Sequence, residues 1–142
     1  MSISPKNCTN FKSRQLARLL TRLYDEELSS VGIRVTQFSL LAHVRGQGPI
    51  KLVDLASIMN LETSTLSRNV QALVKDGLLV LTEGPDFRSK LVTLSKSGRA
   101  KLTAAEKLWL IAQKKVEAKL GKKKMETLNL LLDDCITILE SD

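Results

Sequence analysis

The spacing of apolar residues along this chain has two rhythms, and the switch between them divides it. From Phe11 to Leu28, Leu16, Leu19, Leu20, Leu23 and Leu28 recur close to helical spacing, and Gly32 ends the run. A second helix is predicted over "QFSLLAHVR", with Thr36 as its N-cap and the "GQGP" breaker at 46–49 as its stop. "LVDLASIMN" reads as a short third helix, after which Asn60 can take the left-handed backbone of a tight turn. A fourth helix runs from about Thr63 to Lys75 and stops at Gly77, a natural C-cap. The rhythm then shortens to a hairpin, with strands at 78–82 and 90–94 around a Gly84-Pro85 turn. "SKSG" restores the helical pattern over 96–120, and Gly121 separates a last helix at 122–139. The expected fold is mainly α with a small β-hairpin.

Two short helices joined by a tight turn and followed at once by a hairpin make a winged helix-turn-helix. Projected at about 100° per residue, Leu66, Val70 and Leu73 fall on one side of the fourth helix and anchor it. Ser64, Arg68, Gln71 and Lys75 cluster on the other side, with Thr65 and Ser67 on the flanks. That outward face holds hydroxyls, an amide and cations, and no acid. In a DNA major groove Arg68 can bond a guanine edge bidentately and Gln71 an adenine, while hydroxyls meet bases or phosphates. An ordinary solvated helix face is the alternative. Ala56, on the preceding helix, is small enough to let the two helices approach closely.

The hairpin tip, "EGPDFRSK", places Asp86, Arg88 and Lys90 together. Charge at a turn also keeps a sheet edge soluble. Beside a recognition helix, however, the tip reaches the neighbouring minor groove, whose negative potential attracts an inserted arginine. Asp86 is expected to brace the Arg88 guanidinium in a rigid fork, and Lys90 to meet phosphate.

The last helix carries Met125, Leu128, Leu132, Cys135 and Leu139 at alternating steps of three and four, the spacing of a helix-helix seam. Leu131, Ile136 and Ile138 add apolar surface. Two readings stand: the helix caps the chain's own core, or it forms a homodimer interface with the first helix. The second is preferred, because both terminal helices lie far from the compact middle; Phe11, Leu128, Leu132, Cys135 and Leu139 are the interface candidates.

Composition narrows the partner. Among 142 residues the formal net charge is +7, which raises the expectation of a polyanionic partner without specifying one. Aromatic residues make up only 4%, so the core must be mainly Leu, Ile, Val and Ala. No apolar run approaches the ~20 residues of a membrane-spanning helix, and the N-terminus lacks a signal-peptide stretch, so a cytoplasmic protein without a membrane partner is expected. The "KKK" at 122–124 reads as a solvated helix start rather than a nucleic-acid tract. One histidine, two cysteines without metal-ligand spacing and no phosphate-binding glycine loop leave no catalytic set, metal site or cofactor site to propose.

The order "LVDLASIMN…TSTLSRNVQALVKDGLLV…DFRSKLVTLSKSG" resembles the multiple-antibiotic-resistance regulator (MarR) family of bacterial transcription factors. Asp86, Arg88, Lys90, Leu94, Ser95 and Gly98 stand where that family keeps its wing signature. The resemblance implies a single domain over 1–142, with a winged DNA-binding lobe at 35–95 and a helical dimerisation lobe formed by 8–34 and 96–142. It implies an intertwined homodimer on an inverted-repeat operator in double-stranded DNA, usually as a repressor. By the same resemblance Arg88 enters the minor groove, Asp86 positions it, and Ser64, Thr65, Ser67 and Arg68 lie on the recognition helix. Release from DNA by a small phenolic ligand bound between the lobes, or by cysteine oxidation, is a further implication. Cys8 lies about where the hydroperoxide-sensing branch keeps its thiol, but the second helix lacks the tyrosines that accompany it there. Cys135, on an apolar seam, reads most simply as a small core residue. His43 falls near the expected ligand crevice, where a structural role is the other reading. The rival to a DNA reader is a winged module that binds only protein.

Overall fold

The computed structural model describes residues 3–86 and 89–141. Among these residues six α-helices and a small sheet follow in the order α1 (Thr9–Leu28), α2 (Val35–Gln47), β1 (Ile50–Lys51), α3 (Leu52–Ile58), α4 (Thr63–Lys75), β2 (Leu79–Glu83), β3 (Lys90–Leu94), α5 (Lys96–Leu120) and α6 (Lys122–Glu140). Two compact units result, one of residues 28–108 and one of 1–27 with 109–142; α5 runs through both.

The 28–108 unit is built around a leucine-rich core. Leu41, Leu55, Leu66, Val70, Leu73, Leu79, Val92 and Leu102 are all buried. Each such side chain contributes roughly 1.5–3 kcal/mol. Leu66, Val70 and Leu73 form the inward stripe of α4, and Ala56 of α3 is buried. α3 and α4 end in the same way. Asn60 takes φ 54° after α3, with Leu61 N–H bonded to Ala56 O at 2.9 Å and Asn60 N–H to Ser57 O at 3.2 Å. Gly77 takes φ 77° after α4, with Leu78 N–H on Leu73 O and Gly77 N–H on Val74 O, both at 2.9 Å. Both are Schellman turns, and asparagine is the non-glycine residue best suited to the left-handed position.

Three details differ from the pattern-based expectation. Thr36 lies inside the first turn of α2. The N-cap is Arg34, whose N–H donates to Gln37 Oε1 at 3.0 Å. Gly77 is one residue beyond the helix cap, which is Asp76. The sheet has three strands in the order β1-β3-β2, all antiparallel, with Ile50 opposite Val92 and Leu81 opposite Val92 on the other side.

In the other unit, the Tyr24 hydroxyl donates to Gln113 and Lys115 pairs with Glu27, tying α1 to α5. Burial raises the Tyr24 pKa, and the Glu27 carboxylate raises that of Lys115. α6 buries only Met125. Its cap-the-core reading therefore fails for the chain by itself, and Cys135 is exposed rather than a core residue.

Candidate nucleic-acid interface

The turns at Asn60 and Gly77 fix both ends of α4, and its inward leucine stripe fixes its rotation. Ser64, Arg68, Gln71 and Lys75 are consequently exposed, and Thr65 and Ser67 half-buried at the flanks. Arg68 Nη2 donates to Thr65 Oγ1 at 3.5 Å, a long contact that leaves most donors of the guanidinium free to face outward.

Beside α4 stands the wing of β2 and β3, with Glu83 opposite Lys90 at its open end. Gly84 N–H donates to Ser89 O at 2.8 Å, and Ser89 N–H to Asp86 O at 3.2 Å. The Asp86 carboxylate accepts the Ser89 hydroxyl at 3.4 Å. Asp86 and Lys90 are exposed. Arg88 lies outside the described residues, as does its bracing by Asp86; the partner seen for that carboxylate is Ser89.

Between α4 and the wing is a concavity of about 380 Å³, lined by Ser67 and Gln71 of α4, Leu81, Ser89 and Lys90 of the hairpin, Thr63, and Lys51, Leu52 and Val53 where β1 meets α3. Three predicted residues, Ser67, Gln71 and Lys90, thus share one surface depression. Ser64, Arg68 and Lys75 lie on the same exposed helix face but outside it. Sequence reasoning missed Lys51 and Thr63. Lys51 belongs to a two-residue strand, too short for alternation to register, and only its pairing with Leu91 of β3 brings it beside the wing. An acid was also missed: the stretch 63–75 has none, but Glu62 is exposed at the N-cap position of α4.

The remaining candidates lie elsewhere. His43 Nδ1–H donates to Ser39 O at 2.7 Å, a structural hydrogen bond within α2. Cys8 is exposed just before α1, its sulfur accepting Phe11 N–H at 3.5 Å. Phe11, Leu132, Cys135 and Leu139 are exposed, and Leu128 is half-buried. Lys122, Lys123 and Lys124 form the solvated first turn of α6. Among the described residues no helix is long and apolar enough to cross a membrane.

A tight turn between α3 and α4, a polar outward face on the second of them and a hairpin alongside define the 28–108 unit as a winged helix-turn-helix. The MarR family model matches residues 33–86, which cover this helix pair and the first strand of the wing. The chain is similar to the HTH-type transcriptional regulator YwoH of Bacillus subtilis, 33% identical over 87 residues, or 61% of this chain and 64% of that regulator's length. It is also similar to the crystal structure of the M. tuberculosis transcriptional regulator MosR in complex with DNA, at 32% identity and TM-score 0.75 over 91% of this chain and 98% of that one. Wild-type E. coli MarR in its apo form matches at 25% identity and TM-score 0.73, over 94% and 98% of the two chains. This chain belongs to the MarR family of transcriptional regulators.

Proposed function

We propose that this protein binds double-stranded DNA sequence-specifically as a homodimer on an inverted-repeat operator, and regulates transcription there as a repressor. The carrying observation is the exposed hydroxyl, amide and cation face of α4 next to the concavity in which Ser67, Gln71 and Lys90 meet. Those are the groups that read base edges and hold phosphates. The similar MosR was crystallised with DNA, which favours this reading over a winged module that binds only protein. We assign major-groove contact to Ser64, Thr65, Ser67, Arg68 and Gln71, phosphate contact to Lys75 and Lys90, and the minor groove to Arg88, positioned by Asp86.

A second copy of the chain is the partner we assign to the unit of α1 and α6. Leu130, Leu131, Ile138 and Leu139 of α6 are 57–83% exposed, an apolar surface that favours burial against another protein. Phe11, Leu128, Leu132, Cys135 and Leu139 fall in that proposed seam. Two copies place recognition helices in successive major grooves roughly 34–36 Å apart, so the operator is an inverted repeat. Release by a small phenolic ligand or by oxidation of exposed Cys8 belongs to the same proposal, as do a cytoplasmic location and the absence of catalytic activity.

In vitro selection from a random duplex library tests the whole reading. The expected product is a palindromic motif bound in preference to random DNA. Equal binding to selected and random duplexes would remove sequence-specific regulation from the account, and a non-palindromic motif would remove the dimer.

A further inference from the structure

Glu62 stands immediately before α4, with a charge opposite to that of the helix face it introduces. It takes φ −61° and ψ 139° at the N-cap position, and its carbonyl oxygen accepts the first helical hydrogen bond, from Leu66 N–H at 3.0 Å. A side-chain oxygen there ordinarily accepts an N–H of the first turn as well. Glu62 makes no such cap bond. Its side chain is exposed, and it belongs neither to the Arg45–Glu106 nor to the Lys115–Glu27 ion pair. A recognition helix presents its N-terminal residues to base edges in the major groove. A carboxylate carried there loses water and is repelled by the phosphates unless it finds a hydrogen-bond donor on a base.

Resting on the DNA-binding reading above, we infer that Glu62 is a specificity residue that reads a cytosine in each half-site. In the major groove guanine offers two acceptors, N7 and O6, and thymine offers the acceptor O4; all of these oppose a carboxylate. Cytosine presents the N4 amino donor. Adenine has a donor at N6, but its N7 acceptor stands beside it and opposes the second carboxylate oxygen. Cytosine is the base whose edge a carboxylate satisfies without a competing lone pair. The cations of α4 complement this choice, since Arg68, further along the same helix, suits a guanine edge.

The test is parallel selection from a random duplex library with the wild type, Glu62→Ala and Glu62→Gln, with thermal melting as a control on folding. Because Glu62 makes no cap bond, both variants are expected to melt close to the wild type. The wild type should show one position per half-site where replacing cytosine weakens binding about fivefold or more. Glu62→Ala should lose the preference at that position and bind random duplex more tightly, having lost a negative charge. Glu62→Gln, whose amide donates as well as accepts, should admit adenine there. An identical motif in all three proteins, with affinity changed evenly across sequences, would overturn the inference and leave Glu62 a charge effect only. A wild type that selects no sequence overturns the DNA-reader proposal too, so the two failures are distinguishable.

Discussion

The hydroxyl of Ser95 donates to the carbonyl oxygen of Gly77 at 2.6 Å while accepting the N–H of Gly98 at 2.9 Å. One side chain therefore caps α5 and ties down the turn that ends α4. Ser95 N–H adds a bond to Leu78 O at 3.1 Å. Gly98 completes the joint, because a Cβ there would stand 2.0 Å from Leu78 O. The Ser-x-x-Gly segment is thus a mechanical coupling between the end of α4 and the start of α5.

Two substitutions measure that joint. Ser95→Ala removes a cap and leaves the Gly77 carbonyl short of a donor, and it should lower unfolding stability by about 1–2 kcal/mol. Gly98→Ala forces α5 away from backbone that has no freedom to rotate aside, so the loss should be larger, about 3 kcal/mol. Urea unfolding of both variants checks the order. A Gly98→Ala protein as stable as the wild type would show that the close approach is unimportant.

Specificity and affinity should separate along α4. Arg68→Ala and Gln71→Ala remove groups proposed to read bases, so each should cost about 1–3 kcal/mol on a selected site and relax the preference at one base position. Lys75→Ala and Lys90→Ala should instead weaken all sequences alike and reduce the salt slope of binding by about 1 each. Lys51, which shares the concavity with Lys90, is expected to behave like the lysines. Salt titrations on selected and random duplexes distinguish the two patterns. A lysine variant that changed base preference would contradict the division.

How much of this could be read from the chain depended on how many residues carried each signal. The thirteen residues of α4 hold a full apolar stripe and a full polar face, so Thr63 to Lys75 is legible with its orientation. Strand β1 has two residues, and nothing in "IK" reveals that it pairs with β3. Lys51 stayed invisible for that reason. Thr36 looked like a cap because it is a hydroxyl residue before an apolar run, but Gln37 meets the chain's N–H two residues earlier, at Arg34. Cys135 misled in another way. Apolar spacing shows that a residue faces something, and only the fold shows that α6 buries Met125 alone against its own chain.

The wing tip makes the sharpest prediction about DNA. On either side of residues 87 and 88 the loop is pinned: Asp86 holds both the N–H and the hydroxyl of Ser89, and Ser89 O accepts Gly84 N–H. Those bonds reduce the entropy that Gly84, Asp86 and Ser89 would lose on meeting DNA. Arg88→Ala is expected to weaken operator binding tenfold or more, consistent with ~1–3 kcal/mol per contact. Arg88→Lys should recover only part of that, since an ammonium lacks the planar fork and is more strongly hydrated. Gel-shift titration with a melting control checks both. Full recovery by lysine would mean that the tip supplies charge alone.

The proposed dimer can be broken at a single seam position. Leu132 is 42% exposed in the chain and lies on the α6 stripe with Leu128 and Leu139. Within one chain, aspartate at such an exposed site should alter stability by less than about 0.5 kcal/mol. In a buried subunit seam, the same carboxylate would lose its water without gaining a partner, a penalty of several kcal/mol incurred twice by symmetry. Leu132→Asp should therefore shift the sedimenting species from twice the 15.7 kDa chain mass toward the single chain. Operator affinity should fall with it, because each monomer would hold one half-site alone. If Leu132→Asp remained dimeric with full affinity, the second copy would have to sit elsewhere, and the spacing of the operator's half-sites would need another explanation.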